Sequence, residues 1–172
     1  MKSKFIPLIL ILIFLITFVI FFKGLKNSNI YTPDTNLKKE VPLFKLKSFE
    51  DNSIFISEKI FKDNDYYFIN IWASWCIPCK EEHKFLMELK KDDKIELIGF
   101  NYKDNFTNAS SFLKDLGNPY DIIVSDKDGT ASIEWGAYGV PESFLVYQNK
   151  IIKRFIGPIN NEDLLEIQKI IK

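Results

Sequence analysis

The sequence contains two cysteines, Cys76 and Cys79, in a C-x-x-C spacing. Two thiols at that spacing can pass two electrons to a partner by forming one disulfide, and the loop such a disulfide closes is too small to stabilise a fold much. The cysteines follow an apolar run and precede a stretch with helical apolar spacing. A helix N-terminus offers unpaired N–H groups and a positive dipole end, which favour a thiolate. The pair is therefore predicted to be redox-active rather than structural.

The place of each cysteine in the predicted helix assigns it a role. Cys76 falls at the strand-to-helix turn, so it is predicted to be the more exposed sulfur and the nucleophile. Cys79 lies in the first helical turn and would resolve the mixed disulfide. Pro78 suits that turn because its missing N–H is not needed there. Lys80 can add to the stabilisation of the thiolate.

Glu82 is the third candidate for the site, because it lies where a helix of this pattern should be apolar. At about 100° per residue, its side chain falls inside the stripe formed by Phe85, Leu86 and Leu89, one turn from Cys79. Burial there should make the carboxyl group harder to ionise. We expect Glu82 to exchange a proton with Cys79 during disulfide transfer. The alternative is that it turns out to solvent.

Other cysteine chemistries fit the pattern less well. A c-type haem attachment site needs a histidine directly after the second cysteine, where Lys80 stands. Cys76, Cys79 and His83 would give a metal three ligands, fewer than a closed structural site has. A metal-binding chaperone stays open as an alternative from another class, although His83 is more simply expected to be a lone exposed side chain. No metal and no cofactor are predicted.

The N-terminal apolar segment predicts a membrane anchor. Residues 5–22 are interrupted only by one proline and one threonine, and as a helix they would span roughly 27 Å, close to the hydrocarbon thickness. No small-residue cleavage site follows them, so residues 1–22 are predicted to be an uncleaved anchor. The lysines on the two flanks are equal in number, so charge does not set the orientation. Residues 23–40 are predicted to be a polar linker and residues 41–172 the folded domain.

Composition excludes two classes of function. The chain carries 23 basic and 23 acidic groups, so it lacks the basic excess of a nucleic-acid-binding protein. Two cysteines cannot build a disulfide-rich scaffold. At 172 residues the chain is long enough for a hydrophobic core of its own.

The order of apolar runs and helical patterns after residue 41 predicts an α/β domain with a central mixed β-sheet flanked by helices. The predicted strands are a leading hairpin (43–46 and 54–56), the buried runs 66–72, 95–100 and 122–124, and a later hairpin (143–147 and 151–156). The predicted helices run from the cysteine pair to about residue 90, from a cap at Asp104 or Asn105 to Gly117, and from about residue 161 to the end.

Several of these segments together resemble known proteins. WASWCIPC resembles the thioredoxin active site, and Gly139-Val140-Pro141 resembles the cis-proline loop of that fold. The segments NYKD (101–104), FLKDLGNPY (112–120) and GAYGVPESFL (136–145) are similar to the membrane-anchored thiol reductases of bacterial cytochrome c maturation, the CcmG/DsbE type. The resemblance covers residues 41–172. It implies a thioredoxin-like fold with an N-terminal β-hairpin extension, behind a single transmembrane helix.

The resemblance also implies the substrate-binding residues. Pro141 would be cis and would place the Val140 backbone beside Cys76, where it can pair with a bound peptide strand. Trp75, directly before Cys76, and Glu142, directly after Pro141, are also expected to bind substrate, although Glu142 could equally be an ordinary loop acid.

Two departures from the commonest pattern bear on the chemistry. Asn70 stands where ordinary thioredoxins have a buried aspartate, six residues before the first cysteine. Another group would therefore have to carry out the proton transfer, which strengthens the prediction that Glu82 exchanges a proton with Cys79. The dipeptide Ile77-Pro78 is not the commonest pair in the family, so a family value of the redox potential cannot be carried over.

By the same resemblance, the domain reduces the CxxCH disulfides of apocytochrome c. It is expected to be re-reduced by a transmembrane thiol-disulfide electron carrier and to work beside the cytochrome c haem-ligation machinery. The bacterial periplasm is kept oxidising. The domain is therefore expected on the periplasmic side of the inner membrane, with a single pass and residues 1–4 in the cytoplasm. A general anchored thiol-disulfide oxidoreductase with another client is the alternative.

Overall fold

A computed structural model describes residues 5–26, 39–62 and 65–172. The chain divides into two units at residues 34 and 35. The first contains α1 (Phe5–Lys26), which in the described part of the chain is the one helix long and apolar enough to cross a membrane. This helix continues four residues beyond the predicted end of the anchor. Residues 1–4 and most of the predicted linker, residues 27–38, lie outside the described residues.

An eight-stranded mixed sheet forms the centre of the second unit, in the order β1-β8-β7-β4-β5-β6-β2-β3. The strands are β1 (Lys39–Glu40), β2 (Lys45–Ser48), β3 (Phe55–Ser57), β4 (Tyr66–Trp72), β5 (Ile95–Tyr102), β6 (Ile122–Asp126), β7 (Glu142–Tyr147) and β8 (Lys150–Ile156). Strands β4, β5 and β6 are parallel, and all other neighbours are antiparallel. The predicted α/β class with a mixed sheet is confirmed.

The central strand β4 has the bounds that its apolar run predicts. Its side chains alternate between the two faces of the sheet. Phe68 and Trp72 enter one core cluster, whereas Ile69 and Ile71 enter the other. Both faces of β4 are covered, which explains why the run lacks the polar alternation of a half-exposed strand.

Helices cover both faces of the sheet. They are α2 (Ile77–Leu89), α3 (Phe106–Leu116), α4 (Thr130–Glu134) and α5 (Asn161–Ile170). Side chains of α2, α3 and α5 enter the cluster that contains Phe68, and α4 contributes Ala131 to the opposite one. Of the two caps predicted for α3, Asn105 is the one used: its side chain accepts from two backbone N–H groups of the first turn.

The leading hairpin is confirmed as β2 and β3, which pair antiparallel and extend the sheet beyond β6. Phe44, just before β2, anchors this extension. Its ring packs edge-on against Phe100 and Trp135, with centroids 5.1 and 6.3 Å away. Phe44 therefore ties the hairpin to the domain core, against which Leu46 and Ile56 of its strands also pack.

Candidate functional site

The two cysteines lie at the junction of β4 and α2 and form a disulfide. Cys76 is the N-cap of α2, and its sulfur accepts a hydrogen bond from the N–H of Cys79 at 3.1 Å. Pro78 occupies the first turn, as predicted. Cys76 is 5% exposed and Cys79 2%, so the residue predicted to be the nucleophile is the more accessible of the two. The structure describes the oxidised form of the site.

Glu82 lies on the buried side of α2 and is 1% exposed. The predicted orientation is therefore confirmed, and the solvent-facing alternative is wrong. One carboxylate oxygen accepts from Asn70 Nδ2 and the other from the backbone N–H of Ile159, both at 2.9 Å. Burial raises the pKa of Glu82 to about 7, although the hydrogen bonds from Ile159 and Asn70 oppose it. This carboxyl group can take up or release a proton near neutral pH.

Asn70 connects Glu82 to two further buried groups. Its Nδ2 also donates to Ser143 Oγ at 2.9 Å, and its Oδ1 accepts from the Tyr120 hydroxyl at 2.6 Å. Burial, and then the charge of Glu82, raise the pKa of Tyr120 well above its usual value. Sequence reasoning missed Tyr120 and Ser143 as parts of the site, although both lie in segments that carried the family resemblance.

The cis-proline loop, residues 136–141, is joined to the core of the domain through Val140. The Val140–Pro141 bond is cis, as the resemblance implies. Val140 packs against the core cluster that contains both cysteines. Trp75 is 56% exposed, and its ring lies 6.5 Å from the Tyr102 ring, centroid to centroid. Val140 is thus joined to the core that contains the disulfide, and the contact of Val140, Pro141 and Trp75 with substrate stays a prediction.

Glu142 faces the interior and is 2% exposed. Its Oε2 accepts from Arg154 Nε at 2.9 Å, and its Oε1 accepts from the backbone N–H groups of Tyr138 and Gly139 at 2.6 and 3.2 Å. Arg154, itself buried, also donates to the Gly136 carbonyl oxygen. Removing one partner of such a buried ion pair typically costs about 3–5 kcal/mol. Glu142 and Arg154 together brace the cis-proline loop, and Arg154 was not singled out from the sequence.

A second brace holds the residues that precede the disulfide. The Asp104 carboxylate accepts from the backbone N–H and the hydroxyl of Ser74, at 2.5 and 2.8 Å, and from Asn101 Nδ2 at 3.0 Å. The indole N–H of Trp75 donates to the Lys103 carbonyl oxygen at 3.2 Å. The loop between β5 and α3 therefore fixes Ser74 and Trp75, the two residues directly before Cys76.

His83 is 3% exposed, so the expectation of an exposed side chain is wrong. Its Nε2–H donates to the Gly117 carbonyl oxygen at 2.9 Å, and its ring packs edge-on against Phe112. Burial lowers the pKa of His83, and the hydrogen bond to Gly117 opposes that shift. The physical reason is that the C-terminal end of α3 covers this part of α2. Within residues 5–26, 39–62 and 65–172, no group of three or more His, Cys, Asp or Glu side chains is arranged to hold a metal ion.

Several known proteins are similar in sequence to this chain. The redoxin family model matches residues 36–171. The thiol:disulfide interchange protein DsbE of Yersinia pestis is 35% identical over 165 residues, which cover 93% of this chain and 86% of that protein. DsbE of Escherichia coli (strain K12) is 36% identical over 166 residues, covering 93% and 89%. The match to the thiol:disulfide interchange protein CycY of Rhizobium leguminosarum bv. viciae, 48% identical over 99 residues, spans 57% of this chain and 53% of that protein.

Solved structures show the same fold. StoA from Bacillus subtilis aligns with a TM-score of 0.59 and 27% identity, covering 74% of this chain and 97% of StoA. A DsbF homologue from Corynebacterium diphtheriae aligns with a TM-score of 0.67 and 22% identity, covering 84% and 96%. The thioredoxin-like arrangement of the second unit is therefore shared with these proteins.

Proposed function

Because this chain belongs to the redoxin family and, within it, to the thiol:disulfide interchange proteins of the DsbE/CcmG type, we propose that its client is apocytochrome c, whose CxxCH disulfides it reduces. The chain is a thiol-disulfide oxidoreductase. The observation that carries the proposal is the disulfide at the N-terminus of α2, together with a cis-proline loop whose Val140 packs against the core cluster that contains both cysteines.

The reaction begins from the reduced pair. The Cys76 thiolate, stabilised at the helix N-terminus, attacks one sulfur of the client disulfide. The client S–S bond breaks as the bond between Cys76 and the client forms. The second client sulfur leaves as a thiolate and takes up a proton. The Val140 backbone pairs with the client strand and aligns its sulfur for this attack.

Resolution consumes the mixed disulfide. The Cys79 thiol loses its proton, its thiolate attacks the Cys76 sulfur, and the remaining client sulfur leaves and is protonated. Two electrons have then passed to the client, whose two sulfurs have taken up one proton released by Cys79 and one from solvent, and the domain is left with the disulfide seen in the structure. A transmembrane thiol-disulfide carrier supplies the two electrons that restore the dithiol.

Glu82 accepts the proton that Cys79 gives up. It lies one turn after Cys79 on α2, and both residues are buried, so bulk water has little access to either. A general base works best when its pKa lies near the operating pH, and the pKa of Glu82, at about 7, meets that condition.

The anchor and the compartment complete the proposal. Helix α1 stays attached as an uncleaved single-pass anchor in the bacterial inner membrane, and the domain faces the periplasm. Free cysteines of an exported client are oxidised there. A local reductant is therefore needed to return them to thiols beside the haem-ligation machinery. In the cytoplasm, thiols are kept reduced by other systems.

A Cys79→Ser variant tests the client directly. Without its resolving thiol, the variant should accumulate a mixed disulfide between Cys76 and the client, which is isolated under non-reducing conditions and identified by mass spectrometry. A Cys76→Ser variant, expressed equally, is the control and should trap nothing through this route. If apocytochromes c are absent from the proteins trapped in the native host, the chain is an oxidoreductase for another client.

A further inference from the structure

Tyr120 is a buried titratable residue that the proposed exchange reaction does not use. It is 5% exposed and lies in the segment between α3 and β6. Its ring stacks on Trp72 of β4, with the two centroids 5.5 Å apart and the planes 20° from parallel. Gly99 of β5 leaves room for this ring, because a Cβ there would come within 3.0 Å of it. Contacts with two strands therefore fix where the Tyr120 hydroxyl lies.

The hydroxyl sets the direction of the Asn70 amide. Tyr120 O–H donates to Asn70 Oδ1 at 2.6 Å, so the other end of the amide, Nδ2, is turned to Glu82 Oε1 at 2.9 Å. The same Nδ2 donates to Ser143 Oγ. An amide N–H can donate to a carboxylate, but it cannot accept from a carboxylic acid. Asn70 is therefore oriented to bind the ionised form of Glu82.

The protonated form of Glu82 is poorly matched to the groups that hydrogen-bond to it in the described residues. Its second oxygen faces the backbone N–H of Ile159 at 2.9 Å, which is also a donor. The Asn70 amide would have to turn to offer Oδ1 to the new O–H, and the Tyr120 hydroxyl would then lose the oxygen to which it donates. A buried donor without a partner is costly. The Tyr120 hydroxyl therefore favours the carboxylate over the acid.

Few other titratable groups face Glu82 in the part of the chain that the structure describes. On α2 they are Cys79 and His83, and His83 donates to the carbonyl oxygen at the end of α3. Strand β4 and the segment before α5 meet Glu82 with uncharged groups. Asp163, in the first turn of α5, is bonded to the N-cap backbone of its own helix. Burial raises the pKa of Glu82 and its hydrogen bonds lower it, and no described charged side chain contributes.

We propose that Tyr120 is a positioning residue for the resolution step, because it holds the Asn70 amide in the direction that keeps Glu82 a carboxylate. Glu82 is then ready to take the proton from the Cys79 sulfur as Cys79 attacks Cys76 and the client sulfur leaves. The neutral acid is poorly matched to its neighbours, so Glu82 passes the proton on to the leaving client thiolate. The proposal rests on the oxidoreductase function and adds to it the residue that prepares the base.

Tyr120→Phe tests the proposal, because it keeps the ring and removes the hydroxyl. The titration of Glu82 is followed by NMR of isotope-labelled glutamate carboxyl carbons in the oxidised full-length chain in detergent micelles, and Glu82→Gln assigns the signal. In Tyr120→Phe the midpoint should move to higher pH by about one pH unit, the effect of one buried donor left without a partner.

Tyr67→Phe is the matched control. The Tyr67 hydroxyl is also hydrogen-bonded and the residue is 1% exposed, but its side chain enters the core cluster on the other face of the sheet. Removing this hydroxyl should leave the midpoint of Glu82 unchanged. A midpoint that does not move in Tyr120→Phe, or that moves equally in both variants, would overturn the positioning role.

The rate of resolution gives a second readout, measured as the single-turnover rate of the reduced chain at saturating peptide disulfide. In Tyr120→Phe it should fall about tenfold at about pH 6, where the ionised fraction of Glu82 falls by that factor, and change little at about pH 9. A loss of equal size at both pH values would show a merely structural effect and would contradict the proposal. Failure of the wild-type chain to reduce any peptide disulfide would instead count against the oxidoreductase function, and the NMR titration, which needs no client, would still decide the role of Tyr120.

Discussion

At the scale of single residues, Glu82 makes the stability of the domain depend on pH. The pKa of its carboxyl group is about 7 in the folded chain, against 4.5 as its ordinary value. Between those pH values the folded chain binds a proton that the unfolded chain has released, so the free energy of unfolding falls as the pH rises. The fall is about 3 kcal/mol from pH 4.5 to pH 7 at most. Glu82→Gln should remove this part of the slope, measured by urea unfolding followed through tryptophan fluorescence.

Glu81→Gln is the matched control, because Glu81 is an exposed neighbour on the same helix. It should leave the slope unchanged. His83 contributes a slope of opposite sign, because its lowered pKa makes the fold lose stability as the pH falls below about 6.5. The contribution of His83 is the same in the wild-type chain and in the two variants, so it cancels when their slopes are compared. Glu82→Gln should also slow the resolution step and change its pH profile, and a variant with wild-type slope and rates would contradict the role of Glu82.

At the scale of elements, the loop between β5 and α3 has a testable effect on the site. Asp104→Asn keeps the size of the side chain but removes the charge that receives the N–H and hydroxyl of Ser74. Hydrogen bonds to charged groups contribute about 1.5–3 kcal/mol, and partial exposure of Asp104 reduces this, so a loss of about 1 kcal/mol in the free energy of unfolding is expected. KM for peptide disulfides should rise, because Trp75 is less firmly held.

Asp115→Asn on α3 removes the same charge from an exposed position and provides the comparison for that measurement. If the two variants lose equal stability and have equal KM values, the loop does not position the segment before the disulfide.

The elements also show which parts of the site the sequence could predict. The pair Cys76 and Cys79 follows from its spacing in the sequence. The burial of Glu82 follows from local periodicity, because an amphipathic helix turns residues three or four apart to the core. Helix α4 was not predicted, because five residues are too few for a helical period to stand out.

The brace between Glu142 and Arg154 depends on the register of two strands. Arg154 pairs with Phe144, and Glu142 with Ile156, so the two charged side chains are diagonal neighbours on one face of the sheet. A bulge between Leu145 and Val146 shifts that register farther along the hairpin. No local pattern in the sequence encodes such a contact. His83 was mispredicted for a similar reason, since the carbonyl oxygen of Gly117 that buries it lies 34 residues away in the chain.

At the scale of the whole molecule, the proposed function requires that the apolar helix remain attached and that the domain lie on the oxidising side of the membrane. The intact mass of the purified protein should therefore include residues 1–22, and the chain should resist extraction by alkaline carbonate, because about 20 apolar residues suffice to span the hydrocarbon core. Protease added to spheroplasts should digest the domain, whereas the same protease added to intact cells should not.

A cytoplasmic protein in the same spheroplasts is the control and should survive until detergent is added. A mature chain that begins after residue 22 would show that the helix is a signal that is removed, and a domain protected in spheroplasts would place it in the cytoplasm. The second outcome would also undermine the chemistry, because cytosolic thiols are kept reduced and a client there has few disulfides to offer. The location of the domain and the direction of its electron transfer are therefore tested together.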